Sequence, residues 1–202
     1  MLDNEERACY YLAGFFVGDG SRDRTSPTFH CHEDDLPRVI TNLNLLGAGD
    51  PKLTRNGLCP SVCQFVLKKQ HRWILDKTGL DWRAFPVRRL PVLGGSNALS
   101  FIEGLWDSDG TVYVGVQKAG TRIYRIAYTA KDLLLTEDVS RLLQQFGFIP
   151  KITKSVRRDG GEQYALVVNG YDYGRFKLLF SLQEKKQKIL DLVPEKMRRK
   201  RS

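Results

Sequence analysis

The chain has 202 residues, 42% of them apolar and 27% charged. That is a globular balance, which excludes disorder and fibrous repeats and leaves chain enough for one large domain or two small ones. Thirty-two Lys and Arg against 23 Asp and Glu give a formal charge of +9, which points to an anionic partner only where the charge is localised. Residues 1–97 hold 13 basic and 11 acidic residues, 98–194 hold 14 and 11, and the last eight, EKMRRKRS, hold 5 and 1. Nearly half of the excess therefore lies in a terminal arm suited to phosphate contact or solubility.

The N-terminus, MLDNEERACYYLAGFFVG, has acidic residues before its apolar run and no small-residue cleavage site, so it reads as neither signal peptide nor membrane span. Tyr10, Leu12, Ala13, Phe16 and Val17 recur at helical spacing over 5–17 and run into Asp19-Gly20. Cys9, Cys31, Cys59 and Cys63 all fall in the first third of the chain. With His30 and His32 they could be taken for a zinc set, but the spacing fits no common finger, and reduced thiols of an intracellular protein are the better reading. A second apolar helix spans Asn97–Trp106, with Asn97 as a candidate N-cap, and runs into Asp109-Gly110. Gly20 and Gly110 are expected to take the left-handed turn that stops a helix. Alternation with period two on either side of Ala119-Gly120-Thr121 predicts a hairpin over 111–131. Asp132–Phe146 is an amphipathic helix, 151–156 and 162–168 flank Arg157–Gly161 as a second hairpin, and 171–181 returns to helix.

Self-comparison shows that this order occurs twice. LAGFFVGDG (12–20) matches IEGLWDSDG (102–110), DPKLTR (50–55) matches IPKITK (149–154), and Gln64–Leu67 matches Gln163–Leu166. The fold class is α+β: two pseudo-symmetric αββαββα copies, each with a four-stranded antiparallel sheet, packed through the two motif helices. The copies span 1–80 and 98–194, with a linker at 81–97 and a basic tail at 195–202.

Two helices of the pattern x-x-G-x-x-x-x-D-G, each leading a sheet of two hairpins, resemble the LAGLIDADG homing endonucleases in their single-chain, two-motif form. Val17 stands where the family name has its first Asp, and Glu103 replaces the motif alanine. The eighth position, where the family keeps its functional carboxylate, holds Asp19 and Asp109. The resemblance implies that Asp19 and Asp109 bind two or three Mg²⁺ ions, with Mn²⁺ or Ca²⁺ able to substitute in binding. The carbonyls of Gly18 and Ser108 would help, and each Asp would direct cleavage of one DNA strand. The residues agree: Gly14 and Gly104 lack side chains where helices could cross closely, and two carboxylates at negative helix C-termini invite a hard cation. Lys131 is the favoured basic assistant, with Lys185 or Lys186 as alternatives. In the first copy the matching stretch is HCHEDD, which offers His30 and His32 but no lysine, and Lys68 is a further candidate.

Each sheet should cover its helices with one face and leave the other open. Val112, Val114 and Val116 are assigned to the buried face. Thr111, Tyr113, Gln117, Arg125, Thr129, Thr153, Ser155, Arg157 and Gln163 are assigned to the open face. In the first copy Ser21, Thr28, His30, Thr54, Gln64 and Lys68 correspond, with Arg22, Arg24 and Arg55 near loop ends. Arg, Gln, Thr and Ser are the residue types that bond base edges and phosphates, and Trp73, Trp82 and Trp106 read as core. The function expected is that of a monomeric, intron-encoded, sequence-specific Mg²⁺-dependent endonuclease. Its partner would be a long asymmetric DNA duplex, with no membrane and no small-molecule substrate, in a prokaryotic cytoplasm or an organelle. The alternatives are an RNA-splicing maturase, a non-cleaving DNA-binding regulator, or a duplicated fold whose charge serves solubility.

Overall fold

The computed structural model describes residues 4–23, 25–56, 59–116 and 120–193. Arg24, Gln117 and the basic tail at 195–202 lie outside these. The described order is α1 (Asn4–Asp19), β1 (Gly20–Asp23), β2 (Ser26–His32), α2 (Leu36–Leu45), β3 (Thr54–Asn56), β4 (Cys59–Val66), α3 (Trp73–Asp76), α4 (Gly95–Ser108), β5 (Gly110–Val116), β6 (Arg122–Ala130), α5 (Leu133–Gln145), β7 (Lys151–Val156), β8 (Glu162–Val167), α6 (Tyr173–Leu179) and α7 (Glu184–Asp191). Short 3₁₀ turns precede α3 and α6.

The two sheets repeat one topology, β1-β2-β4-β3 and β5-β6-β8-β7, antiparallel throughout. Packing divides the chain differently from the repeat. One compact unit is Met1–Asp109 and the other begins at Gly110, so the second motif helix packs in the same unit as the first. The reason lies in α1, whose residues 11–17 are all buried. A helix apolar on every side must be enclosed, and α4, buried from Phe101 to Asp107, supplies one wall. At the crossing, a Cβ on Gly14 would lie 1.9 Å from the Phe101 carbonyl oxygen, and one on Gly104 1.9 Å from that of Tyr11. Only glycine permits backbones that close.

The sheet of the first unit closes the core from below. Phe29 and Phe65 stack at 5.0 Å between centroids with planes 3° apart, and Phe16 meets Phe29 at 5.5 Å. Each such ring contributes roughly 1.5–3 kcal/mol of burial. In the second unit Phe148, Phe176 and Phe180 form the corresponding cluster, with Phe176–Phe180 at 4.5 Å. Asp132 caps α5, its carboxylate accepting from the N–H groups of Leu134 and Leu135.

Several local expectations are corrected. Neither Gly20 nor Gly110 has a positive φ; both begin strands. Gly20 is needed for size, because a Cβ there would lie 2.2 Å from the Phe16 carbonyl oxygen. Asn97 is inside α4, whose N-cap is Gly94, and its amide donates to Glu6 Oε1 at 3.3 Å. Lys185 and Lys186, the alternatives to Lys131, lie in the first turn of α7. Val116, at the end of β5, is exposed. Trp82 and Trp106 are buried, but Trp73 is 40% exposed, because the single turn of α3 directs Ile74 and Leu75 inward instead.

Candidate functional site: an acidic pair and two open sheet faces

Asp19 ends α1 and Asp109 caps α4, where its N–H donates to the Leu105 carbonyl. Gly18 brings them together: a Cβ on it would sit 2.0 Å from Ser108 Oγ and 3.2 Å from the Asp109 nitrogen. The end of α1 therefore lies against the Ser108 side chain and close to the Asp109 nitrogen, and the two carboxylates spring from neighbouring points. Asp19 is half-buried and Asp109 exposed. Each helix C-terminus adds about half a negative charge to the spot. The donor set is two carboxylates and the carbonyls around them, among them those of Gly18 and Ser108. Hard oxygen ligands of this kind suit a divalent cation that keeps several waters. No group of three or more His, Cys, Asp or Glu positioned for a metal occurs among the described residues.

Register fixes the face of each strand residue, because directly paired residues share a side. In the first sheet Ser21 pairs with Thr28, Thr28 with Val66, and His30 with Gln64, which pairs with Thr54. These residues and His32 lie on the side opposite Phe29 and Phe65. Ser21 Oγ is 2.7 Å from His30 Nε2, and burial holds the His30 imidazole below its ordinary pKa. His32 Nδ1 is 3.3 Å from Asp34 Oδ2. Thr28 departs from expectation. It shares this face but is only 5% exposed, hemmed between strands on both sides, and its hydroxyl has no hydrogen-bond partner.

Arg22 and Arg55 pair with Pro27 and Cys63 and so point to the other face. Arg22 donates to the Arg83 carbonyl, and Arg55 lies 4.0 Å from Glu33. Lys68 is exposed just beyond β4, at the rim of a cavity of about 310 Å³ floored by Leu43, Phe65 and Leu67.

In the second unit Thr111 pairs with Ala127, Tyr113 with Arg125, Thr129 with Ala165, Ala165 with Thr153, and Gln163 with Ser155. All share the face opposite Val112 and Ile126, and Tyr113 is 53% exposed. Arg157 lies beyond β7 in the turn, where it pairs with Asp159 at 2.6 Å, so it is not a strand-face residue. Lys131 is exposed at the bend after β6, beside the α5 cap.

Sequence reading passed over one polar cluster. Arg38, on α2, donates through Nη1 to Asp107 Oδ2 (2.8 Å) and through Nη2 to Glu103 Oε2 (3.1 Å). Tyr11 on α1 donates to the same Asp107 oxygen at 2.9 Å, and the guanidinium stands 4.7 Å from the Tyr11 ring centre. Burial, followed by the nearby Asp107 charge, drives the Tyr11 pKa well above its usual value. The only sequence signal was that Glu103 and Asp107 stand four apart on an otherwise apolar helix.

Residues 96–179 match the family model of the LAGLIDADG-like domain. The chain's fold is similar to those of solved meganucleases. It aligns with I-DmoI, solved in complex with DNA and Ca, at a TM-score of 0.63 and 17% identity, over 93% of this chain and 98% of that one. The LAGLIDADG meganuclease I-AabMI, bound to uncleaved DNA, aligns at 0.61 and 14%, over 91% and 87%. The meganuclease I-SmaMI, bound to uncleaveable DNA, aligns at 0.60 and 13%, over 91% and 86%. Other I-DmoI complexes were solved with Mn and with Mg. No curated protein matches the chain in sequence. The LAGLIDADG-like segment includes Asp109 and the second sheet, while the first motif and Asp19 lie outside it. No described helix is long and apolar enough to cross a membrane.

Proposed function

We propose that the protein is a divalent-metal-dependent, sequence-specific DNA endonuclease, acting as a monomer on a long asymmetric duplex. The observation that carries this reading is the contact of Gly18 with Ser108 and Asp109, which sets Asp19 beside Asp109 at two helix C-termini, in a fold whose neighbours were solved on DNA. Asp19 and Asp109 would hold the metal, with the carbonyls of Gly18 and Ser108 as additional oxygens. A divalent cation held there would supply Lewis acidity toward a phosphate and a water. The protein's own side chains then orient the duplex and neutralise charge.

Lys131 and Lys68 are cations suited to a phosphate oxygen that gains charge. His32 engages Asp34 through Nδ1, so Nε2 is the nitrogen it can offer to a water or a phosphate. On the open faces Ser21, His30, Thr54 and Gln64, and Thr111, Tyr113, Arg125, Thr129, Thr153, Ser155 and Gln163, would meet base edges and phosphates. The two half-sites are chemically unequal, His-rich in the first copy and Lys- and Arg-bearing in the second, which suits an asymmetric target. The test is incubation with a library of long duplexes and Mg²⁺, followed by sequencing of the ends. Discrete cut sites support the reading, and tight RNA binding with no cleavage of any duplex overturns it.

A further inference from the structure

We propose that Arg38 is a positioning residue for the acidic pair, setting the register of α4 against α1 and with it the placement of Asp109 beside Asp19. The inference rests on the metal-binding reading of that pair.

The Gly14 and Gly104 crossing is close but smooth. Two glycines facing backbone carbonyls let the helices approach and do nothing to stop one from sliding or rolling on the other. Directional contacts have to do that, and one set stands within a turn of the crossing. Asp107 takes a hydrogen bond from Tyr11 of α1 at 2.9 Å and one from Arg38 of α2 at 2.8 Å. Glu103, one turn earlier on the same helix face, takes the second arm of the same guanidinium at 3.1 Å. Asp107 is fully buried and Glu103 is 7% exposed. A planar fork that binds two carboxylates on successive turns fixes both the rotation and the axial position of α4, as a point-charge ammonium cannot. Its stacking on Tyr11, 4.7 Å from the ring centre, ties the fork to α1 as well.

The two motifs differ at the residues this cluster uses. The first copy has Val17 where the second has Asp107, and Ala13 where the second has Glu103. The acids are concentrated on α4, and a single guanidinium from the first copy holds both. Asp109 follows Asp107 by two residues, so a change in the roll of α4 passes directly to its carboxylate. A misplacement of about 1 Å is enough to cost ~100-fold in a positioned reaction.

The experiment uses the full-length chain and two readouts. Terbium luminescence, sensitised by the protein's aromatic residues, measures cation binding at the acidic pair without any cleavage. Mg²⁺ titrations on a supercoiled plasmid bearing the selected site follow nicked and linear products separately. Arg38→Lys keeps the charge and loses the fork, Arg38→Met loses both, and Glu103→Ala releases one arm. Val39→Ala, a core cut on the same helix, is the control for lost stability. The proposal expects Arg38→Lys to weaken terbium binding and raise the Mg²⁺ midpoint about tenfold, with nicked DNA accumulating and Ca²⁺-supported duplex binding held within about threefold. Val39→Ala, compared at an equal drop in Tm, should move neither readout. An unchanged terbium affinity in Arg38→Lys and Glu103→Ala, or an equal change in Val39→Ala, overturns it. If Arg38→Met does not fold, the two milder variants decide. Failure of the wild type to cut any duplex, with terbium bound and weakened by Arg38→Lys, would reject the endonuclease reading and leave the positioning role standing.

Discussion

Asp19 and Asp109 stand at equivalent repeat positions but not in equivalent surroundings, one half-buried at the end of α1 and the other exposed as the cap of α4. Replacing either by Asn removes a charge from the proposed metal site and leaves the open sheet faces intact. Asp19→Asn and Asp109→Asn should each lower double-strand cleavage by at least ~100-fold, the scale of losing one electrostatic group at a reacting centre, with duplex affinity in Ca²⁺ changed less than about tenfold. Plasmid cleavage and gel-shift assays read the two. His30 gives a pH prediction. Burial lowers its folded pKa below the ordinary 6.5, so the folded state favours the neutral ring. The stability this carries is present above pH 6.5 and is lost as pH falls through the folded value. In thermal melts between pH 7.5 and 5, the wild type should lose more Tm than His30→Gln, and parallel curves would remove His30 as the cause.

At the scale of elements, the glycine contacts make the sharpest demand. A methyl on Gly104 would have to occupy space 1.9 Å from the Tyr11 carbonyl, and backbone on both sides cannot move aside cheaply. Gly104→Ala should cost ~2 kcal/mol or more, read as a shift in denaturant midpoint, and should lower cleavage beyond what the folded fraction explains. Asp132→Ala, by contrast, removes only an α5 cap and should cost ~1 kcal/mol without altering the metal dependence.

The elements were legible because their periods were clear, with a spacing of 3–4 over 5–17 and alternation over 111–129, and because each pattern came twice. What alternation could not show was depth. Thr28 has the parity of His30 yet is buried between two neighbours, and Val116 has the parity of Val112 yet is exposed at the strand end. Arg22 and Arg55 were assigned by residue type rather than parity, and register turns them to the opposite side. The cluster of Arg38, Glu103, Asp107 and Tyr11 was invisible because its partners are 27–69 positions from Arg38, and no local pattern couples them.

For the whole molecule, the +9 charge says less than its distribution. The last eight residues hold a net four of those charges, and removing 195–202 should weaken duplex binding at low salt while leaving the cut position unchanged. Each lost phosphate contact lowers the slope of log affinity against log salt by about 0.9, so fluorescence anisotropy across a salt series counts how many contacts the tail makes. The packing division at Asp109 has a consequence of the same kind. A chain cut after residue 97 separates Asp19 from Asp109, and neither fragment alone should cleave. In the function proposed, the two Asp residues form one metal-dependent cleavage centre. Sequencing the ends produced from a randomised duplex library with Mg²⁺, for wild type and Asp109→Asn side by side, tests it most directly. Reproducible double-strand ends at one extended site from the wild type, absent from the variant, are the predicted result, and ends of equal yield from both proteins would contradict it.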